Sequence, residues 1–209
     1  MPVMPRPRGL DQFVWVLGHA MRAATSPDGP EASLAARLFA ALEMPGDRPP
    51  VAPKPRRPAP ALEGALEDAF AHAARGPAPV QQVARALRAL DALLSWAPRL
   101  GGEGDDPAFR KAHANAVLVG ADGLERRADV RIGVSLVAPW TDYVTHNHPP
   151  EELYFVLAPG DWWREDLGWR ARSAGSLQHN PPHAWHTMRA GETPLLAVWC
   201  LWTAPDASA

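Results

Sequence analysis

The stretch Tyr143-Val-Thr-His146-Asn-His148-Pro-Pro-Glu151-Glu152-Leu-Tyr154 decides how this chain is read, and Gly175-Ser-Leu-Gln-His179-Asn-Pro181-Pro-His183-Ala-Trp-His186 answers it. Residues two apart on a strand point to the same side. His146 and His148 therefore face together, and so do Glu152 and Tyr154 on a following strand. The turn between the pairs carries Pro149-Pro150 and gives a hairpin-like path along one wall of a barrel. Imidazole nitrogen and carboxylate oxygen suit a divalent first-row cation such as Zn, Fe, Mn, Co or Ni. His148, Glu152 and His186 could close on one ion, with His146 and Tyr154 beside it. Spacing alone does not choose among His179, His183 and His186. The chain has only two tyrosines, Tyr143 and Tyr154, and both lie in this stretch.

Around it the texture is that of strands. Residues 117–119, 130–137, 153–157 and 195–202 are short β-branched or aromatic runs, separated by Gly, Pro, Asp and Asn. Several strands of this kind imply a sandwich or barrel. The lack of a Gly-rich phosphate loop and of alternating strands and helices argues against nucleotide-binding α/β folds. Upstream the pattern is helical. Leu10, Phe13, Val14, Leu17 and Met21 recur at threes and fours, and Leu34, Leu38 and Leu42 follow a start signal at residues 28–30. Leu62, Leu66, Ala69, Phe70 and Ala73 form a third stripe ended by Gly76-Pro77. Val80, Val83, Leu87, Leu90 and Leu94 form a fourth, stopped by Pro98 and Gly101-Gly102. These faces are expected to cover the barrel or to build a homodimer contact. Seven prolines between residues 45 and 60 predict an extended, mobile linker. The expected organisation is N-terminal helices over 1–44, a Pro-rich linker over 45–60, a helical region packing on the barrel over 61–104, and the barrel over 105–209.

Apolar content of 46% supports a sizeable core, and a formal charge of −2 offers no basic stripe for nucleic acid. The single cysteine, Cys200, sits in an apolar run and reads as a buried hydrophobe. The N-terminus has positive charge but no apolar segment follows, and no run is long enough to span a membrane. The expectation is a cytoplasmic enzyme acting on a small molecule.

The motif H-x-H-x3-E, here His146, His148 and Glu152, resembles the first half of the cupin metal motif. The second half, G-x5-P-x-G-x2-H, is matched by Gly175, Pro181 and His186, with His183 where glycine is usual and Ala190 where asparagine is usual. The resemblance selects His186 as the late ligand and leaves His183 at the rim. It implies a mainly β cupin barrel, a double-stranded β-helix, preceded by an α-helical region. The longer pattern Y-x2-H-x-H-x3-E-x-Y, with a tryptophan-rich barrel and N-terminal helices, is similar to the cupin-type dimethylsulfoniopropionate (DMSP) lyases. In that family the implied metal ligands are His148, Glu152, Tyr154 and His186, with Tyr143 and His146 lining the substrate pocket.

The chemistry of these residues suits that reaction. DMSP cleavage removes a proton next to a carboxylate and expels dimethyl sulfide from the neighbouring carbon, leaving acrylate. A cation beside a phenol favours phenolate, so Tyr154 is the first candidate base and Tyr143 the second. DMSP or a related sulfonium carboxylate also needs a wall for its cationic end, which aromatic faces supply at about 0.5–2 kcal/mol each. Seven of the nine tryptophans lie between residues 140 and 202; most are expected to fill the core and one or two to line the pocket. The alternatives are a cupin dioxygenase or isomerase, which the fold alone does not exclude, and a non-catalytic cupin sensor.

Overall fold

The computed structural model describes residue 6 and residues 8–49, 53–99 and 107–204. The N-terminal stretch read for a leader, residues 50–52 of the proline-rich stretch and the Gly101-Gly102 stop lie outside these. Four helices come first: α1 (Arg8–Ala24), α2 (Pro30–Ala41), α3 (Pro60–Ala73) and α4 (Ala78–Leu90), the last continued by a single 3-10 turn. A short α5 (Pro107–Ala112) leads into eight strands: β1 (His113–Val119), β2 (Val130–Val137), β3 (Glu151–Ala158), β4 (Gly160–Arg164), β5 (Gly168–Arg172), β6 (Leu177–Asn180), β7 (His186–Arg189) and β8 (Leu195–Trp202). Proline occupies the first turn of α2, α3 and α4, where its missing N–H costs nothing and its fixed φ suits the helix.

The strands form two antiparallel sheets, ordered β1-β2-β8-β3-β6 and β5-β4-β7. This is the cupin barrel with its helical N-terminal region. Residue parity sorts the larger sheet into two faces. Leu153, Phe155 and Leu157 of β3 and Leu196, Val198 and Cys200 of β8 pack with the helices in one core. Tyr154, Val156, Leu195, Ala197, Trp199 and Leu201 face the barrel interior and pack with Trp162 and Met188 of the smaller sheet. Both faces being covered is why β3 and β8 read as unbroken apolar runs rather than alternating ones. The helical stripes thus cover the barrel.

Where described, the proline-rich stretch is extended, and parts of it dock on the rest of the protein. Arg56 exchanges backbone hydrogen bonds with Leu94 and Trp96 at 3.0 and 2.9 Å, and Arg57 pairs with Asp91. Earlier in the stretch, Asp47 exchanges backbone hydrogen bonds with Arg126 at 3.0 and 2.7 Å, and Gly46 N–H donates to Glu125 at 3.0 Å. Strands β4 to β7 lay below the sequence signal because each has only four or five residues and carries Arg, Asp, His or Gln among its few apolar positions.

Gly133 on β2 shows how the interior was shaped. It stands opposite Trp199 in the β2–β8 register, and a Cβ there would meet the Trp199 ring at 2.1 Å and the Ala116 carbonyl at 2.6 Å. Absence of a side chain lets the indole lie flat across the strand. Gly133→Ala is expected to destabilise the protein by about 1–3 kcal/mol by overpacking, read by denaturant unfolding monitored by tryptophan fluorescence.

Candidate metal centre

Residues 142–146 run antiparallel to β7 at the edge of the smaller sheet. Tyr143 N–H donates to the Met188 carbonyl at 2.8 Å, and His146 and His186 exchange backbone bonds at 3.0 and 2.9 Å. A directly paired couple on one face brings its side chains together, and the two imidazole rings are 4.3 Å apart between centroids. The chain then bends at Pro149-Pro150 and enters β3 in the other sheet. The expected hairpin is therefore a corner between sheets. His146 and His148 approach from one sheet, Glu152 and Tyr154 from the other, and a cavity of about 1050 Å³ lies against Tyr143, His146, His148, Glu152 and Tyr154.

The imidazoles share one arrangement. His146 Nδ1 lies 2.9 Å from the Val144 carbonyl, His148 Nδ1 2.9 Å from the Pro150 carbonyl, and His186 Nδ1 2.8 Å from the Ala184 carbonyl. A carbonyl can only accept, so each Nδ1 carries the proton and each neutral ring offers an Nε2 lone pair. One ligating atom from each ring lies within 4.8 Å of those of the other two. His148 Nε2 and His186 Nε2 stand 3.3 and 3.2 Å from the same oxygen, Glu152 Oε2, while His186 Nε2 is buried without a hydrogen-bond partner. Lone pairs facing a carboxylate oxygen repel unless a proton or a cation lies between them. Tetrahedral ligands at about 2.0–2.1 Å from a zinc-like ion would be about 3.3 Å apart. These residues fit a divalent cation.

The electrostatics agree. Glu152 is fully buried, which alone would raise its pKa, yet His148 and His186 hold it well below the usual carboxylate range. His148 is pushed down by burial but raised overall by its hydrogen bond and charge attraction to the Glu152 carboxylate. Burial and the neighbouring His186 depress His146 to about 3, which keeps that ring neutral and able to ligate at neutral pH. Burial raises Tyr154 well above 10, with Glu152 and Tyr143 adding to it. Tyr143 is also raised by burial, but Asn115 and Arg99 oppose the rise.

The other two late histidines go elsewhere. His179 points to the opposite side of β6 and bonds Glu151 at 2.7 Å; Glu151 in turn pairs with Arg37 of α2. His183 is exposed with φ of 61°. That left-handed turn explains the glycine usual at this position, and its N–H donates to the His148 carbonyl at 2.9 Å. The tryptophans depart from expectation. Of the seven, Trp162 and Trp199 are buried and Trp199 lines the cavity, whereas Trp140, Trp169 and Trp185 are exposed. Several polar residues of the interior carried no sequence signal. Asn115 donates to the Tyr143 hydroxyl at 3.0 Å and accepts from Ser135 at 2.7 Å. Arg99 lines the cavity from the loop after α4, its N–H donating to buried His113 Nε2 at 2.8 Å.

Barrel and helical cover together define the cupin fold, and its inward His/Glu cluster could hold a metal ion. More narrowly, the chain belongs to the dimethylsulfoniopropionate lyase family, whose model matches residues 31–197. It is 29% identical over 128 residues to a protein of Cereibacter sphaeroides assigned as the dimethylsulfoniopropionate lyase DddL, covering 61% of this chain and 53% of that one. The chain thus spans about half the length of that curated relative. Among solved structures it is similar to one reported with the DMSP lyases RdDddP and RnDddQII, with a TM-score of 0.66 and 21% identity over 97% of this chain and 96% of the other. It is also similar to the DMSP lyase DddQ of Ruegeria pomeroyi DSS-3, with a TM-score of 0.65 and 20% identity over 97% and 94% of the two chains. At these identities the structural likeness establishes a shared fold. No helix among the described residues is long and apolar enough to cross a membrane.

His186→Ala is expected to lower the affinity for Zn(II) or Co(II) at least tenfold, measured by competition with a chromophoric chelator. His146→Ala separates two ligand sets. It should be as damaging if three imidazoles hold the ion, and mild if Tyr154 takes that place.

Proposed function

We propose that this protein is a metal-dependent DMSP lyase. The observation that carries the reading is the meeting, at one cavity, of His146, His148, one buried carboxylate and both tyrosines of the chain, with the His186 ring clustered against the two histidines. Family membership supplies the substrate class. His148, Glu152 and His186 would hold the ion, with His146 or Tyr154 completing the set. A bound divalent cation would supply Lewis-acid stabilisation to the carboxylate end of the substrate as charge builds beside it.

Tyr143 is the base we favour. Its oxygen accepts from Asn115 Nδ2, and the Asn115 carbonyl is already taken by the Ser135 hydroxyl, so the amide is held with its N–H toward the phenol. That arrangement supports phenolate. Tyr154 has the Glu152 carboxylate for a neighbour, which opposes phenolate unless the cation intervenes. Tyr143 would take the proton from the carbon next to the carboxylate. The C–H electron pair becomes the double bond of acrylate, the C–S bond breaks, and its pair leaves with dimethyl sulfide. Trp199 lines the cavity and would be the aromatic contact for the sulfonium, in competition with the Arg131 guanidinium that lies over its ring at 5.5 Å.

Release of dimethyl sulfide from DMSP by the metal-loaded protein tests the reading; no release with any of Zn, Fe, Mn, Co or Ni contradicts it. Tyr143→Phe is expected to lower kcat about 10²–10⁴-fold while leaving metal affinity within about twofold. Because burial raises the Tyr143 phenol and phenolate is the active form, kcat/KM should rise with pH through the neutral range into the alkaline range. A flat profile would remove Tyr143 from the base role.

A further inference from the structure

A line of buried polar side chains runs from the outside of the barrel to the carboxylate of the metal cluster. Arg172 at the end of β5 donates to Gln178 Oε1 from Nε at 3.0 Å and from a terminal nitrogen at 2.9 Å. Gln178 Nε2 donates to Asn180 Oδ1 at 3.1 Å. Asn180 Nδ2 donates to Glu152 Oε2 at 3.0 Å, the oxygen that also faces His148 and His186. Gln178 and Asn180 are two apart on β6 and so share the interior face, and Asn180 pairs directly with Glu152 in the β3–β6 register. Gln178, Asn180 and Glu152 are buried, with 2%, 0% and 3% of their surface exposed.

Amide side chains could run such a chain in either direction; here the two ends leave one. Arginine is a donor only and an ionised carboxylate an acceptor only. Arg172 forces the Gln178 oxygen outward, which turns the Gln178 nitrogen inward, where it also makes a longer contact to the His179 carbonyl at 3.3 Å. Asn180 must then present oxygen to Gln178 and nitrogen to Glu152. We propose that Arg172, Gln178 and Asn180 are positioning residues that fix the direction of this chain, so that Glu152 Oε2 is held turned toward His148 and His186, ready for a cation. The inference rests on the metal site proposed above and extends it to residues that do not touch the ion.

The test is a Co(II) titration of the full chain followed by visible absorption, with chelator competition for affinity and circular dichroism for folding. Arg172→Lys keeps a donor-only residue and should bind within about twofold of wild type. Arg172→Glu places an acceptor at the outer end, which reverses both amides and sets Asn180 Oδ1 against Glu152. It should bind about tenfold or more weakly, with an altered ligand-field band, in the range typical for outer partners of metal ligands. Simple electrostatics gives the opposite sign, since exchanging a positive for a negative charge near a cation site tightens binding. Asn180→Ala should weaken binding about 10–100-fold, and if it fails to fold, the Arg172 pair alone decides the matter. Wild-type affinity and spectrum in Arg172→Glu, or tighter binding, overturns the inference while leaving the lyase reading intact. A wild-type protein that binds no Co(II) overturns both the relay and the metal site beneath it. Cobalt binding with the predicted variant pattern but no dimethyl sulfide release defeats only the lyase reading.

Discussion

The carbonyls of Val144, Pro150 and Ala184 each lie within 2.9 Å of the Nδ1 of a histidine two residues away, and the site depends on that shared constraint. It is local and cheap, because each contact spans only two residues and uses a backbone group that would need a partner anyway. Its consequence is global. Three rings from two segments are restricted to one tautomer, and their bare Nε2 atoms are directed at one region beside Glu152. A buried carboxylate would ordinarily become neutral; here its neighbours hold its pKa well below the usual range and create a place that could take a cation.

The barrel exists to bring those segments together. Glu152 and Tyr154 reach the interior because β3 alternates faces, and that alternation is fixed by the helices on its other side. Leu153, Phe155 and Leu157 are fully or almost fully buried against the helical core. A one-residue slip of β3 would expel Glu152 from the interior and push Leu153 into the polar cavity. Packing by α2, α3 and α4 therefore sets the register of the site. The Glu151 pairing with Arg37 and His179 adds a polar clamp on the same outer face.

How much of this was legible in the sequence follows from what kind of information each feature carries. Tyr143, His146, His148, Glu152 and Tyr154 stood out because ligating residue types at fixed spacing are rare, whereas His186 was singled out from three late histidines only by the resemblance to the cupin motif. The helical stripes of α1 to α4 were readable because burial imposes a period on many residues at once. The corner between sheets was not, since two prolines after His148 mark a turn but not which sheet the chain enters next. Asn115, Ser135, Gln178 and Asn180 were invisible for a related reason. Short polar residues on strands are ordinary, and their roles come from cross-strand partners that only tertiary pairing defines. The exposed Trp140, Trp169 and Trp185 defeat a rule that puts large aromatics inside; Trp169 instead stacks under Arg189 at 4.2 Å.

X-ray absorption at the edge of a bound Zn(II) or Co(II) ion tests the central claim most directly, because imidazole rings leave a multiple-scattering signature that other ligands lack. Two or three imidazole nitrogens at about 2.0–2.1 Å, with oxygen completing the shell and no sulfur, is the result expected of His148, His186 and Glu152 with one neighbour. A first shell of oxygen alone, or one containing sulfur, would contradict the convergence of these rings on a single ion.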